Sequence, residues 1–151
     1  MALVNIVITE KNNKLLAKTY LFNTEKIVDF HLRTGSTTVT EFFYSEVEGR
    51  RTKTNKYVTT LSKAAFEALF DIATYESRLD LNITQIFTPT VFDVVRVQNF
   101  AVKGIQKCWD IDGSSSMVEY DRGNFETIKV NAAHTLAEIA GAVSTSVSVA
   151  I

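Results

Sequence analysis

In "IVDFHL", Ile27–Leu32, the apolar Val28, Phe30 and Leu32 alternate with Asp29 and His31. A period of two is that of a strand with one buried face. The same signal predicts strands at Leu3–Thr9, Leu15–Phe22, Thr37–Ser45 and Lys56–Leu61. Further along it predicts Leu81–Phe87, Val91–Phe100, Ile105–Ile111, Ser115–Asp121 and Thr127–Asn131. Asn12, Asn13 and Pro89 mark turns, and so do Gly35-Ser36 and Gly113-Ser114. Two segments read as helix instead. "SKAAFEALFDIATYE" spaces Ala65, Phe66, Leu69, Phe70 and Ala73 helically behind Ser62 as N-cap. "AAHTLAEIAGAV" sets Leu136, Ile139, Ala140 and Val143 on one face, with Thr135 and Glu138 at capping-box spacing.

The order of elements occurs twice. "FNTEKIVDFHLRTGSTTVTEFFY" starts at Phe22, and "FAVKGIQKCWDIDGSSSMVEYDR" starts 78 residues later at Phe100. That alignment sets Ile27 on Ile105, Gly35 on Gly113, Glu41 on Glu119 and Phe42 on Tyr120. Upstream strands and downstream helices follow in the same order. Ile105, Cys108 or Trp109, and Ile111 fit the strand only if its register slips by one, as at a bulge. The expected fold is therefore α+β. It consists of two tandem copies of a mainly antiparallel sheet followed by a helix, residues 1–77 and 78–151, packed as one compact unit.

Composition narrows the function classes. The apolar fraction of 46% and the net charge of -1 describe a folding chain without a general pull toward nucleic acid or membrane. "MALVNIVITE" has neither the basic start nor the long apolar core of a signal peptide, and no apolar run is long enough to span a bilayer. The single cysteine, Cys108, cannot form an intramolecular disulfide.

"CWDIDGSSSMVEY" resembles the start of a calcium loop, with Glu119 six residues after Gly113. The other copy reads "LRTGSTT", which keeps the glycine and hydroxyls but lacks both aspartates. The shared element is a turn, so no metal is expected. His31 and His134 have no ligand-spaced partners, and Cys108 beside Trp109 reads as a small buried residue. No nucleophile, phosphate-loop or dinucleotide motif is present, so neither catalytic residues nor cofactors are expected.

Two segments suggest partner binding. "EGRRTKTNK" places Arg50, Arg51, Lys53 and Lys56 at the tip of a hairpin that the second copy shortens to "RGNFET". Such a tip suits an acidic surface or a phosphate backbone, although no aromatic residue is interleaved with the basic ones. The tail "STSVSVAI", Ser144–Ile151, alternates Val147, Val149 and Ile151 with small residues and carries no charged side chain. That pattern suits an added strand, in this sheet or in a neighbouring subunit's.

Gly113–Tyr120 with Ile128–Ile139, and more loosely Gly35–Phe42 with Val58–Leu69, resemble a small repeated module of tailed-bacteriophage virion structural proteins. The resemblance implies a non-enzymatic, multi-copy capsid auxiliary or neck-region component. It would reside in the virion after assembly in the host cytoplasm and bind other virion proteins, itself included. The first copy departs from the module in its long basic hairpin and its "KAAFEAL" segment. A nucleic-acid-binding module using residues 49–56 is the second reading, and an enzyme whose site is built from distant residues is the third. No membrane partner is expected.

Overall fold

The computed structural model describes residues 3–71, 74–75, 77–86, 92–110, 116–121 and 125–130. Side chains are described for these except residues 84–86, 92–95, 110, 125 and 126. The chain divides into two compact units, Met1–Glu76 and Ser77–Ile151.

The first unit holds β1 (Leu3–Lys11), β2 (Lys14–Asn23), β3 (Ile27–Leu32), β4 (Thr40–Glu48) and β5 (Arg51–Thr59). These strands lie in the order β2-β1-β5-β4-β3, and the pairings within the unit are antiparallel. Turn chemistry sets the hairpins. Asn12 and Asn13 both have positive φ, as a two-residue turn of type I′ requires, and join Lys11 to Lys14. Gly49, at φ +64°, starts the tight turn between Glu48 and Arg51. A 3-10 turn at Thr24–Lys26, capped by the Asn23 side chain, leads into β3.

One face of this sheet is packed with apolar side chains. Ile6, Ile8, Phe22, Ile27, Phe30, Phe42 and Tyr57 are buried there, joined by Phe66 and Phe70 from the segment after β5. Phe66 lies over Phe30 and Phe42, with ring centroids 4.8 Å and 5.0 Å away.

The expected α+β class is overturned: the protein is mostly β. The helix expected from Ser62 to Glu76 is only five residues long, α1 (Lys63–Glu67). Ser62 caps it as expected, its hydroxyl accepting from Ala65 N. It then tightens, because Leu69 N donates to Phe66 O and Phe70 N to Glu67 O, three residues back rather than four. Asp71 completes the break by accepting from Thr74 N and starting a new turn. Asp at a helix interior competes with the helix for backbone donors, and apolar spacing alone does not reveal this. The second expected helix, over 132–143, lies outside the described residues.

The second unit holds β6 (Arg78–Ile86), β7 (Phe92–Ala101), β8 (Ile105–Asp110), β9 (Ser116–Asp121) and β10 (Phe125–Val130). Its order is β7-β6-β10-β9-β8, the order of the first unit repeated. The irregularities repeat as well. The bulge between Ile8 and Glu10 recurs between Ile83 and Gln85, and that between Ile27 and Asp29 recurs between Ile105 and Lys107. A second 3-10 turn, Val102–Gly104, matches the first. Bulges break a ladder at specific residues, so two in common mark one architecture used twice. The register slip expected in β8 is thus present in β3 too.

The pairing corrects the internal alignment. Ile27 faces Tyr44 and Ile105 faces Tyr120, so Tyr120 corresponds to Tyr44 rather than Phe42. Glu41 then corresponds to Met117, not Glu119. The loop between the third and fourth strands is shorter in the second unit, which shifts the offset.

Candidate functional site

The other face of the first sheet is unlike its packed side. Residues opposite each other in an antiparallel pair share a face, and alternate residues along a strand return to it. Leu3 and Val7 of β1 therefore lie on the same face as Leu21 and Leu15 of β2. All four are more than half exposed, and Leu15 is 90% exposed. Val7, Thr9, Leu15, Leu16 and Ala17 line a shallow apolar depression of about 330 Å³ at the bulge. Among the described residues, β2 pairs only with β1, and its outer backbone groups meet no other described strand.

The second unit shows that the fold does not require this apolar strip. Through the matched registers, Leu3 corresponds to Arg78, Val7 to Asn82, Leu15 to Asp93 and Leu21 to Asn99. Four exposed apolar residues in one copy are four polar ones in the other. Arg78 and Asn99 are buried and bonded there, Arg78 Nε donating to Asn99 Oδ1 and Asn99 to Asp80. Two exchanges run the other way: Thr19 is matched by Val97 and Asn23 by Ala101.

Beyond the strip the same face becomes charged. Glu10, Val58, Glu41 and His31 form one row across β1, β5, β4 and β3. Arg33, just past β3, ties the row together. Its Nη1 and Nη2 donate to the two carboxylate oxygens of Glu10 at 2.9 Å and 3.2 Å, and its Nε donates to Glu41 at 2.9 Å. That bridge passes over Val58, which is buried. His31 Nε2 donates to the other oxygen of Glu41 at 3.0 Å; a carboxylate only accepts, so this nitrogen carries the hydrogen. Lys56 Nζ is 4.0 Å from Glu41 and donates to Asn13 at 2.6 Å. A type II turn positions Arg33: Ser36 N donates to Arg33 O around Gly35 at φ +80°.

The electrostatics follow from these bonds. The bond from His31, reinforced by that from Arg33, holds the Glu41 carboxyl down at about 2 against the cost of burial. The same guanidinium lowers Glu10, and the two carboxylates raise Arg33 in return. In the second unit Glu10, Val58, Glu41 and His31 are matched by Gln85, Lys129, Met117 and Trp109, so the row belongs to the first unit alone.

The basic hairpin is divided by the strand geometry. β4 and β5 continue to Glu48 and Arg51, so only Gly49 and Arg50 form the tip. Arg50 and Arg51 are exposed. Lys53 sits 3.8 Å from Glu48. Lys56 points to the opposite face, into the charged row. Glu46 and Glu48 belong to the hairpin's own first strand and hold Asn55 and Tyr57 of the second: Asn55 Nδ2 donates to both carboxylates and the Tyr57 hydroxyl donates to Glu46 at 2.6 Å. Burial, with Glu46 adding to it, pushes the Tyr57 hydroxyl well above its ordinary range. Cys108 is half-buried, and burial raises its thiol, which weakens it as a nucleophile. His134, Val147, Val149 and Ile151 lie outside the described residues, as does the Gly113 turn. No group of three or more metal-ligating side chains occurs among the described residues. No helix among them is long and apolar enough to cross a membrane.

Neither the strip nor the row follows from the one-dimensional pattern. The signal that reveals them is the exchange between copies, which the 78-residue offset already shows at Leu15, Leu21 and His31 and which register adds at Leu3, Val7, Glu10, Glu41 and Val58. Compared with protein-family models, curated proteins and solved structures, the chain matches none.

Proposed function

We propose that the chain is a non-enzymatic structural protein that acts by assembly, as a multi-copy component of a tailed-bacteriophage virion. The single observation that carries the assembly reading is the strip Leu3, Val7, Leu15 and Leu21 beside an open strand, with polar residues at all four matched positions. Exposed apolar groups gathered at one edge favour contact with another protein, because burying them removes apolar area from water. The phage setting rests on the resemblance of Gly113–Tyr120 and Ile128–Ile139 to a virion module. The nucleic-acid reading loses ground because Lys53 faces Glu48 and Lys56 faces Glu41.

Light scattering on the full chain over a concentration series tests the reading. A mass that rises to a defined oligomer or a growing filament is expected. A monomer at every concentration that also fails to coat phage particles would refute it.

A further inference from the structure

We propose that the outer edge of β2 receives Ser144–Ile151 of a second copy of this chain, which adds there as a further strand. The inference rests on the assembly reading and specifies its contact.

Three observations choose this occupant. First, among the described residues β2 pairs on one side only, and its apolar strip lies on one face only. A strand that suits it has apolar residues at every second position and small ones between. Val147, Val149 and Ile151 alternate with Ser146, Ser148 and Ala150 in that way. Second, β2 carries Lys14 and Lys18, both exposed. Pairing β2 with the β2 of another copy would bring these lysines toward their counterparts, and like charges across a pair repel. The segment 144–151 has no charged side chain and brings no such repulsion. Third, its eight residues fit within the ten of β2, so one segment would fill one edge. A tail from one copy on the edge of the next is a head-to-tail contact. Such contacts close into rings or extend into filaments, as a multi-copy component needs.

The test separates donor from acceptor. A chain lacking 144–151 keeps the edge, and a chain carrying Leu15→Lys with Leu21→Lys keeps the tail. Both replaced leucines are exposed, so circular dichroism should show an intact fold. Each altered chain alone should self-associate about tenfold more weakly or worse, the effect expected when a charge enters an apolar contact. Mixed, the two should give a complex of one copy each that grows no further. Undiminished association of the tail-deleted chain would overturn the proposal and leave the assembly reading standing. A monomeric full chain with no complex on mixing would overturn the proposal, and failure to coat phage particles as well would overturn the assembly reading with it. A monomeric full chain whose tail amides are protected would show pairing within one copy and overturn the proposal. Should the lysine variant misfold, binding of a labelled Ser144–Ile151 peptide to the tail-deleted chain replaces it. Saturable binding is expected, and none would overturn the proposal.

Discussion

Glu41 is where the charged row is most easily broken. Glu41→Gln removes the charge that holds both His31 and Arg33, while the amide still offers one acceptor oxygen. The carboxyl sits at about 2 when folded, against an ordinary value of 4.5. Each tenfold change in proton affinity corresponds to about 1.4 kcal/mol. Water reaches part of the cluster, since Arg33 is about one-third exposed, so roughly half of the full figure is a reasonable expectation, or about 2 kcal/mol. The direction follows from linkage. The folded value is the lower one, so the stabilisation is complete above the unfolded value of 4.5 and is lost as pH falls toward 2. Urea denaturation followed by circular dichroism should therefore show Glu41→Gln less stable by about 2 kcal/mol at neutral pH, and the gap should close as pH falls from about 5 toward 2. A gap of the same size at both ends would refute an electrostatic role for the row. A gap near zero at neutral pH would refute the row itself.

Other perturbations probe separate parts of the account. Phe66→Ala removes a fully buried ring that touches Phe30, Phe42 and Phe70, and should cost about 3–5 kcal/mol by thermal or urea unfolding. Gly104→Ala would place a Cβ 2.6 Å from the ring of buried Tyr120, so a loss of about 1–3 kcal/mol is expected, where an unchanged melting temperature would argue against the tight approach. Gly49→Ala meets no neighbour but sits at φ +64°, so only backbone strain of about 1 kcal/mol should appear. Arg50→Ala with Arg51→Ala should leave self-association unchanged within about twofold, because exposed tip charges add little to an interface elsewhere; salt-sensitive DNA retention in a gel shift that this pair abolishes would revive the nucleic-acid reading.

Local sequence reading reached different depths in different places. Strands were legible because alternation follows from burying one face, and Asn12-Asn13 and Gly35 announced their turns through positive φ. The helix after Ser62 was over-read. Phe66, Leu69 and Phe70 do pack inward, but a short turn buries them as well as a long helix would, and Asp71 favours the turn. The hairpin was under-read, since Thr52 and Thr54 continue β5 where a basic loop was expected. The charged row stayed hidden because Glu10, His31, Arg33 and Glu41 come from three strands and a loop, and only register brings them together. The apolar strip stayed hidden for a related reason. An exposed leucine and a buried one look alike in sequence, and although the 78-residue offset already sets Leu15 on Asp93 and Leu21 on Asn99, it misplaces Leu3 and Val7 by two or three residues, so the strip does not show as a unit.

Hydrogen exchange along β2 tests the central claim most directly. In dilute, unassembled protein, the outward-facing amides of Lys14–Asn23 should exchange quickly, because among the described residues only β1 pairs with this strand. On assembly the account predicts that those amides slow markedly, and that the slowing disappears when residues 144–151 are removed. Assembly that protects other strands while β2 continues to exchange at its dilute rate would contradict it.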